Sequence, residues 1–151
     1  MASMAALQLA QFFASLTCAV FTGAALYVSL VEHPARMGCG TLVDATQWAP
    51  SYKRATVMQA PLAALSTVFG ITAWLASAEK GWLVGALLVG AVIPFTLIAI
   101  MPTNKRLLLP GRDLSSAETA RLLRRWAKLH AVRSVLSISA LVVYLFLLAR
   151  L

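Results

Sequence analysis

The sequence predicts an all-α membrane protein, a four-transmembrane-helix bundle with an amphipathic helix before the fourth span. Three observations support this fold class: the chain is rich in apolar residues, these residues form four long stretches, and the positive charges collect between the stretches. Of the 151 residues, 60% are hydrophobic and 12% are charged, and the mean hydropathy is +0.81. A chain of this length forms one domain, which we expect to cover residues 1–151.

The four apolar stretches cover residues 7–31, 57–78, 82–101 and 129–148. A helix of about 20 residues crosses the hydrocarbon core of a bilayer, so each stretch is long enough to span it. Each must be helical there, because lipid cannot satisfy the hydrogen-bonding groups of the backbone. We expect the first stretch to be a span rather than a signal peptide, since no Lys or Arg precedes it and it exceeds the usual length of a signal-peptide core.

The positive charges indicate an orientation in the membrane. Eleven of the 13 lysines and arginines lie in or beside the segments that follow the first and third stretches. They are Arg36, Lys53, Arg54, Lys105, Arg106, Arg112, Arg121, Arg124, Arg125, Lys128 and Arg133. Positive residues accumulate on the cytoplasmic side of membranes. We therefore expect an integral, multi-pass membrane protein whose loops 1 and 3 are cytoplasmic and whose termini are both lumenal or extracellular.

The net charge of +8 and the isoelectric point near 10.4 bear on the partners of the chain. In such an apolar chain, we expect the charge to favour a lipid bilayer with anionic head groups. No nucleic-acid-binding module is visible in the sequence, so we predict no nucleic-acid partner. A homo-oligomer is compatible with these features. Cys18 falls within a span and Cys39 on the reducing side, so both are expected to be free thiols.

Helix one carries polar and small residues along a single face. They recur at spacings of three and four, which places them on one helical stripe: Gln8, Gln11, Ser15, Cys18, Thr22, Ala25, Ser29 and Glu32. Lipid disfavours such a stripe, so we expect it to face the other helices, where small residues permit close packing. Pro34 is expected to stop this helix soon afterwards.

Prolines and a capping motif mark the ends of the other helices. Helix two is expected to begin near Pro50 and Ser51, because proline is tolerated in a first turn. Pro94 predicts a kink in helix three. The motif SSAE at Ser115 has the spacing of a capping box, so a helix should start at Ser115. The basic and apolar residues that follow predict an amphipathic segment at the membrane surface that runs into the fourth span.

Five candidate catalytic residues converge on one end of the predicted bundle, where the first and third helices end and the other two begin. They are Glu32, His33, Asn104, His130 and Arg133. The predicted substrate-binding residues at the same level are Trp48, Tyr52, Gln59 and Trp126. A histidine can remove a proton from an acidic carbon, and an arginine or amide can stabilise the resulting enolate oxygen. A half-buried Glu32 can orient that histidine.

Each candidate also has a structural interpretation. Glu32 and Arg133 could form an ion pair that closes the bundle. His33 and His130 could tie down the loops, and Asn104 could cap a turn. A metal is a further alternative, since Glu32, His33 and His130 form the two-histidine, one-carboxylate set of non-haem iron sites. Adjacent side chains on a helix point about 100° apart, so Glu32 and His33 can share a metal only where the helix has unwound. We predict no metal.

Four blocks of the sequence carry a resemblance to a known family: TGAALYVSLVEHPAR, then WAPSYKRA followed by QAP, then PTNKR, and finally WAKLHAVRS. In this order they resemble the anthrone-oxygenase-like family of small four-helix membrane proteins, over nearly the whole chain. The blocks put six of the candidates on the motif positions of the family: Glu32, His33, Trp48, Asn104, His130 and Arg133.

The resemblance implies a four-span bundle. In the fungal members it implies oxidation of an anthrone to an anthraquinone by molecular oxygen, with no established organic cofactor. Such a reaction can start when a base removes the acidic methylene proton, which yields an enolate able to react with oxygen directly. We therefore expect O2 as a co-substrate and predict no cofactor.

The leading hypothesis is a membrane-embedded oxygenase-like enzyme that acts on a lipophilic phenolic or anthrone-type small molecule. The alternative is a non-enzymatic membrane protein that binds lipid or sterol or serves in assembly. A glutathione-using membrane enzyme would share the length, the four spans and the basic charge. The second helix, however, lacks the E-R-x-x-x-A segment expected of that class.

Overall fold

The computed structural model describes residues 4–150, and these residues form a bundle of four long helices. They are α1 (Met4–Gly38), α2 (Thr41–Ser77), α3 (Lys80–Leu107) and α4 (Ala117–Leu148). All four are long and apolar enough to cross a membrane. No strand occurs among the described residues. The predicted all-α, four-span fold class is confirmed.

α1 continues past the position where a stop was predicted. An α-helix over Met4–Tyr27 is followed by one π-helical segment, Val28–Glu32, and a short α-helix, His33–Gly38. In the wider turn, the His33 amide donates to the Val28 carbonyl. Pro34 then lies in the first turn of the last segment, where its missing amide hydrogen breaks no bond. The prediction that Pro34 ends the helix is therefore wrong.

α2 begins nine residues or more before its predicted start, at Thr41 instead of near residues 50–51. Gly40 makes the turn from α1 with a φ of 95°, a conformation that glycine adopts at little cost. Pro50 lies inside the helix and cannot donate to the carbonyl of Thr46. Because Pro50 and Thr46 are both exposed, that carbonyl can be solvated, and the helix tolerates the proline.

α3 is interrupted near its middle. It comprises α-helices over Lys80–Gly90 and Val92–Phe95, a π-helical segment over Thr96–Ile100, and an α-helix over Met101–Leu107. The break at Ala91 lies three residues before Pro94, whose ring would clash with the Gly90 carbonyl in a regular helix. The irregularity predicted from Pro94 thus occurs one turn earlier. Beyond Gly90, α2 packs against α3 far less than before it.

α4 starts one residue later than an Ser115 cap would require. Ser116 is the N-cap, and its Oγ accepts a hydrogen bond from the Thr119 amide at 3.2 Å. The Ser115 hydroxyl and amide donate to Asp113 Oδ1, which holds the pKa of Asp113 below its ordinary value. Glu118 does not close a capping box but pairs with Arg106 at 2.6 Å.

The amphipathic segment before the fourth span is confirmed as the first part of α4. Its basic residues are exposed, namely Arg121, Arg124, Arg125 and Lys128. Leu122, Leu123 and Trp126 are buried between them. The segment is continuous with the apolar part of the helix, so a single helix carries both a charged surface and a membrane span.

The end of the bundle around the turn between α2 and α3 is tightly packed. The rings of Trp82 and Tyr144 stack there with centroids 5.2 Å apart, and both side chains are buried. Tyr144 lies so close to two helix backbones that a Cβ on Gly70 would approach its hydroxyl to 2.1 Å and one on Gly85 its Cε1 to 2.3 Å. The two glycines therefore make the groove that receives the ring.

The stripe of α1 faces the bundle along most of its length. Gln11, Ser15, Cys18, Thr22 and Ala25 are buried, as the spacing predicted. Three members depart from this pattern: Gln8 is exposed, and Ser29 and Glu32, which follow Ala25, are only partly buried. Cys18 is a buried free cysteine and Cys39 an exposed one.

Candidate functional site

A cavity of about 190 Å³ lies at the end of the bundle away from the turn between α2 and α3. We call this the basic end, because it carries loop 1, between α1 and α2, and loop 3, between α3 and α4. All four helices contribute to its wall. Seven of the predicted site residues line it: Glu32, Trp48, Tyr52, Gln59, Trp126, His130 and Arg133. Two others do not line it, His33 and Asn104. Most of the remaining lining is apolar, including Phe21, Val92 and Met101.

His130 is positioned by a hydroxyl group of α1. Its side chain is buried, and Nδ1 lies 2.9 Å from Ser29 Oγ. Ser29 Oγ is also 2.9 Å from Ser134 Oγ, one turn further along α4. Among residues 4–150, Nε2 makes no hydrogen bond, so this nitrogen is available to a molecule in the cavity. Ser134 is a site residue that the sequence gave no reason to select.

Arg133 presents a guanidinium group to the cavity one turn from His130. Its Nη2 donates to Gln59 Oε1 at 3.0 Å, and its Cζ lies 5.5 Å from the centroid of the Phe21 ring. Nε is buried and has no partner in the described part of the chain. The group is therefore fixed by an amide from α2 and an aromatic face from α1, and its residue lines the cavity beside His130.

Aromatic rings form one side of the cavity. Trp48 and Tyr52 are stacked with parallel planes and centroids 5.1 Å apart. The edge of Trp126 meets Trp48 at 5.8 Å, and Trp126 also contacts His130 at 4.8 Å and His33 at 5.2 Å. Flat, rigid walls of this kind suit a planar aromatic ligand. The indole of Trp126 is the shared neighbour of both histidines.

A buried ionic cluster lies beside the cavity. Arg36 donates from Nε to Asp44 Oδ1 at 3.0 Å and from Nη1 to Glu32 Oε1 at 2.6 Å. His33 Nδ1 is 3.5 Å from the same Asp44 oxygen. The partner of Glu32 is thus Arg36, not Arg133 or a histidine. Sequence reasoning treated Arg36 only as a loop charge and did not select Asp44. The spacing of four residues between Glu32 and Arg36 was the sequence feature that could have predicted their ion pair.

Asn104 is buried within α3, away from the cavity wall. Neither of its side-chain polar atoms has a hydrogen-bond partner among the described residues. The same is true of His33 Nε2, Asp44 Oδ2 and Trp48 Nε1. Buried polar groups usually have partners. Water molecules can supply partners to these atoms.

The cavity opens between α2 and α3. The two helices approach closely at Gly90, where a Cβ would lie 3.0 Å from Thr67 Cγ2, and they diverge beyond it. Four lining residues in the gap are exposed on the outer surface of the bundle, two on each helix: Thr56, Ala60, Ile93 and Leu97. We call this gap the α2–α3 mouth. It opens sideways from the bundle, toward the surface that lipid covers.

The possible metal set is not assembled. No group of three His, Cys, Asp or Glu side chains within residues 4–150 is arranged to hold a metal ion. Glu32 is occupied by Arg36, and both histidines lie against Trp126. The arrangement instead suits acid–base chemistry on a bound organic molecule. A histidine nitrogen and a guanidinium group share the wall of a largely apolar chamber.

Comparisons with known proteins identify the family of this chain. The family model for anthrone oxygenase matches residues 48–143, a range that contains the cavity residues of α2, α3 and α4. An anthrone oxygenase of Pestalotiopsis fici is 33% identical over 124 residues, which are 72% of this chain and 86% of that protein. No solved structure matches the chain. The match over more than half of the chain and the similarity to this relative show that the protein belongs to the anthrone oxygenase family.

Proposed function

We propose that this protein is an oxygenase-like membrane enzyme that oxidises a lipophilic phenolic or anthrone-type substrate with molecular oxygen. The observation that carries the proposal is the pairing of His130 and Arg133 on the wall of a largely apolar cavity. Family membership supports an oxygenase-like function. The base, the substrate class and the steps below are our proposal.

In the first step, His130 Nε2 removes a proton from an acidic methylene carbon of the substrate. The electron pair of that C–H bond delocalises onto the neighbouring carbonyl oxygen, which gives an enolate. Arg133 stabilises the negative oxygen, because a fixed guanidinium donor in an apolar site interacts strongly with developing charge. The base and the donor are one turn apart on α4, so one helix sets their spacing.

The enolate is then oxidised by O2. A C–O bond forms between the former methylene carbon and O2, which gives a peroxide. Loss of the second methylene proton and cleavage of the O–O bond leave a carbonyl group and release water. The balance is one CH2 group and one O2 converted into one C=O group and one H2O. O2 is the oxidant throughout, and the histidine only moves protons.

The shape of the site supports a lipophilic, planar substrate. Trp48, Tyr52 and Trp126 provide flat faces. The α2–α3 mouth offers access from the bilayer, where such molecules concentrate. The basic end would face the cytoplasm under the positive-inside rule, and its exposed arginines would contact anionic head groups.

The test is oxygen uptake by the purified protein in lipid nanodiscs with an anthrone as substrate. His130→Gln, which keeps a polar side chain, is expected to lower kcat by about 10²–10⁴, the usual contribution of a general base. His33→Gln serves as the matched histidine variant, because His33 lies outside the cavity wall, and a smaller loss is expected. Uptake by His130→Gln at the rate of the unaltered protein would overturn the catalytic assignment.

The alternative function, lipid or sterol binding without turnover, is favoured by one observation: most of the cavity lining is apolar. It predicts copurified lipid in the cavity and no oxygen uptake with any redox-active aromatic compound. Mass spectrometry of the organic extract, alongside the uptake assay, separates the two functions. Turnover that a bound lipid inhibits competitively would support the enzyme.

A further inference from the structure

We propose that Ser29 and Ser134 are positioning residues that hold His130 in the tautomer with the hydrogen on Nδ1. In that tautomer Nε2 carries the free electron pair and faces the cavity as a base. The inference deepens the proposed function and rests on it for its catalytic meaning. Its structural content, a fixed tautomer, can be measured without any substrate.

Three short contacts link His130 to α1 in a chain. His130 Nδ1 is 2.9 Å from Ser29 Oγ, Ser29 Oγ is 2.9 Å from Ser134 Oγ, and Ser134 Oγ is 3.2 Å from the carbonyl oxygen of Ala25. The chain begins on α4, crosses to α1, returns to α4 and ends on α1. His130 and Ser134 are buried and Ser29 is partly buried.

The direction of these bonds depends on where the single hydroxyl hydrogen of Ser134 goes, because the Oγ–Oγ and Oγ–Nδ1 contacts can each run either way. In the proposed arrangement Ser134 donates this hydrogen to the Ala25 carbonyl, or to the His130 carbonyl at 3.5 Å, and a carbonyl can only accept. Ser134 then accepts from the Ser29 hydroxyl. With its hydrogen used, Ser29 can only accept from His130, so the hydrogen of the neutral imidazole is on Nδ1.

The direction matters because a neutral imidazole has one donor nitrogen and one acceptor nitrogen. The hydrogen bond that one nitrogen makes determines the role of the other. If Nδ1 accepted a hydrogen bond from Ser29, Nε2 would carry the hydrogen and could not remove a proton. The two serines therefore perform the task for which catalytic histidines often use a carboxylate.

The nearest carboxylates are not available for this task. Glu32 lies on the cavity wall but pairs with Arg36 at 2.6 Å. Asp44 is bound by Arg36 at 3.0 Å and lies 3.5 Å from the other histidine. The hydroxyl relay is uncharged, so it can orient His130 within the bundle without adding a further charge to it.

The test is ¹⁵N NMR of the full chain with labelled histidine, in lipid nanodiscs at neutral pH and without substrate. Only two histidines contribute, and signals that remain in His130→Gln belong to His33. We expect a proton on Nδ1 and an unprotonated Nε2 for His130. A proton on Nε2 instead would overturn the proposal, whatever the activity of the protein.

Ser29→Ala and Ser134→Ala are the diagnostic variants. Each is expected to convert part of the His130 population to the other tautomer, whereas Ser29→Thr keeps the hydroxyl and the original signal. Ser66→Ala is the matched control, since Ser66 Oγ also donates from a buried position to a carbonyl of α1, that of Ala14 at 3.0 Å. Unchanged His130 signals in both Ser29→Ala and Ser134→Ala would contradict the relay.

The kinetic arm distinguishes this inference from the proposed function. Ser29→Ala is expected to lower kcat about tenfold with little change in KM. The variant lowers the fraction of His130 whose Nε2 can act as a base but leaves the substrate-binding contacts in place. Ser29→Thr should restore kcat. If the Nδ1 hydrogen is present but His130→Gln is fully active, the relay stands and the proposed function fails. If His130→Gln is inactive and the hydrogen is on Nε2, the function stands and the relay fails.

Discussion

Arg36 Nε donates a hydrogen bond to Asp44 Oδ1 at 3.0 Å, and this contact joins α1 to α2 across the turn at Gly40. Both side chains are buried, and Asp44 is fully so. Glu32 binds the other side of the guanidinium group. The contact therefore fixes the end of α1 that carries His33 and the start of α2 that carries Trp48.

Loss of this ion pair should destabilise the protein. Asp44→Asn removes the negative charge and leaves Arg36 with Glu32 alone. We expect the free energy of unfolding in detergent to fall by about 3 kcal/mol, the lower part of the range for a broken buried pair. The measurement is denaturant unfolding followed by tryptophan fluorescence.

The triple variant Glu32→Gln/Arg36→Met/Asp44→Asn is the control for this prediction. It removes all three charges of the cluster together with side chains of similar size, so no uncompensated charge remains, and it is expected to recover part of the lost stability. A triple variant that is less stable than Asp44→Asn would show that the charges contribute more than their mutual compensation.

Removal of Arg133 should affect the chemical step. Arg133→Met is expected to lower kcat for oxygen uptake by about 10²–10³, the usual effect of one oxyanion donor. Gln59→Leu removes the acceptor that holds Nη2 and should cause a smaller loss. Because the two side chains act together, the losses in the double variant should be less than additive. Strict additivity would mean that Gln59 does not position Arg133.

Bulk in the α2–α3 mouth should hinder access of the substrate. Ala60→Trp is expected to raise KM for an anthrone about tenfold, since the indole would fill the gap beside Leu97. Ala64→Trp is the matched control, because Ala64 lies one turn away on the same helix, is exposed and does not line the cavity. Equal KM values for the two variants would exclude this gap as the route of access.

An added methyl group beside Tyr144, at the end of the bundle that holds the turn between α2 and α3, should destabilise the protein. A Cβ on Gly85 would lie 2.3 Å from Tyr144 Cε1, and nothing lies within 4 Å of one on Gly23. Gly85→Ala is expected to lower stability by about 1–3 kcal/mol through overpacking, whereas Gly23→Ala should be neutral or stabilising by up to about 1 kcal/mol. Thermal unfolding in detergent measures both, and equal midpoints would contradict the groove.

The existence of the four helices could be predicted from the sequence. Each apolar stretch is long enough to span a bilayer, and a backbone in lipid must satisfy its own hydrogen-bonding groups, which a helix does. The ends of the helices could not be predicted. The prolines at positions 34 and 50 suggested helix boundaries, but both lie inside helices. The π-helical segment over Val28–Glu32 accommodates Pro34, and the carbonyl that Pro50 leaves without a donor is exposed and can be solvated. Such local adjustments depend on what surrounds the helix.

The level of the candidate site in the bundle could also be predicted, but not the direction of each side chain. A π-helical segment changes the angle between successive residues, so the stripe of α1 cannot be extended beyond Ser29 by counting. His33 consequently faces Trp126 and Asp44 rather than the cavity. The contact of Ser29 with His130 joins residues 101 positions apart, and no spacing rule predicts it.

The stacked Trp82 and Tyr144 leave the molecule with one sealed end. Both side chains are buried, and the glycines beside them leave no space for even a methyl group. Neither ring lines the chamber, which among residues 4–150 therefore ends short of that face. We expect a molecule that enters the chamber through the α2–α3 mouth to leave by the same opening, so that substrate and product both pass through the bilayer.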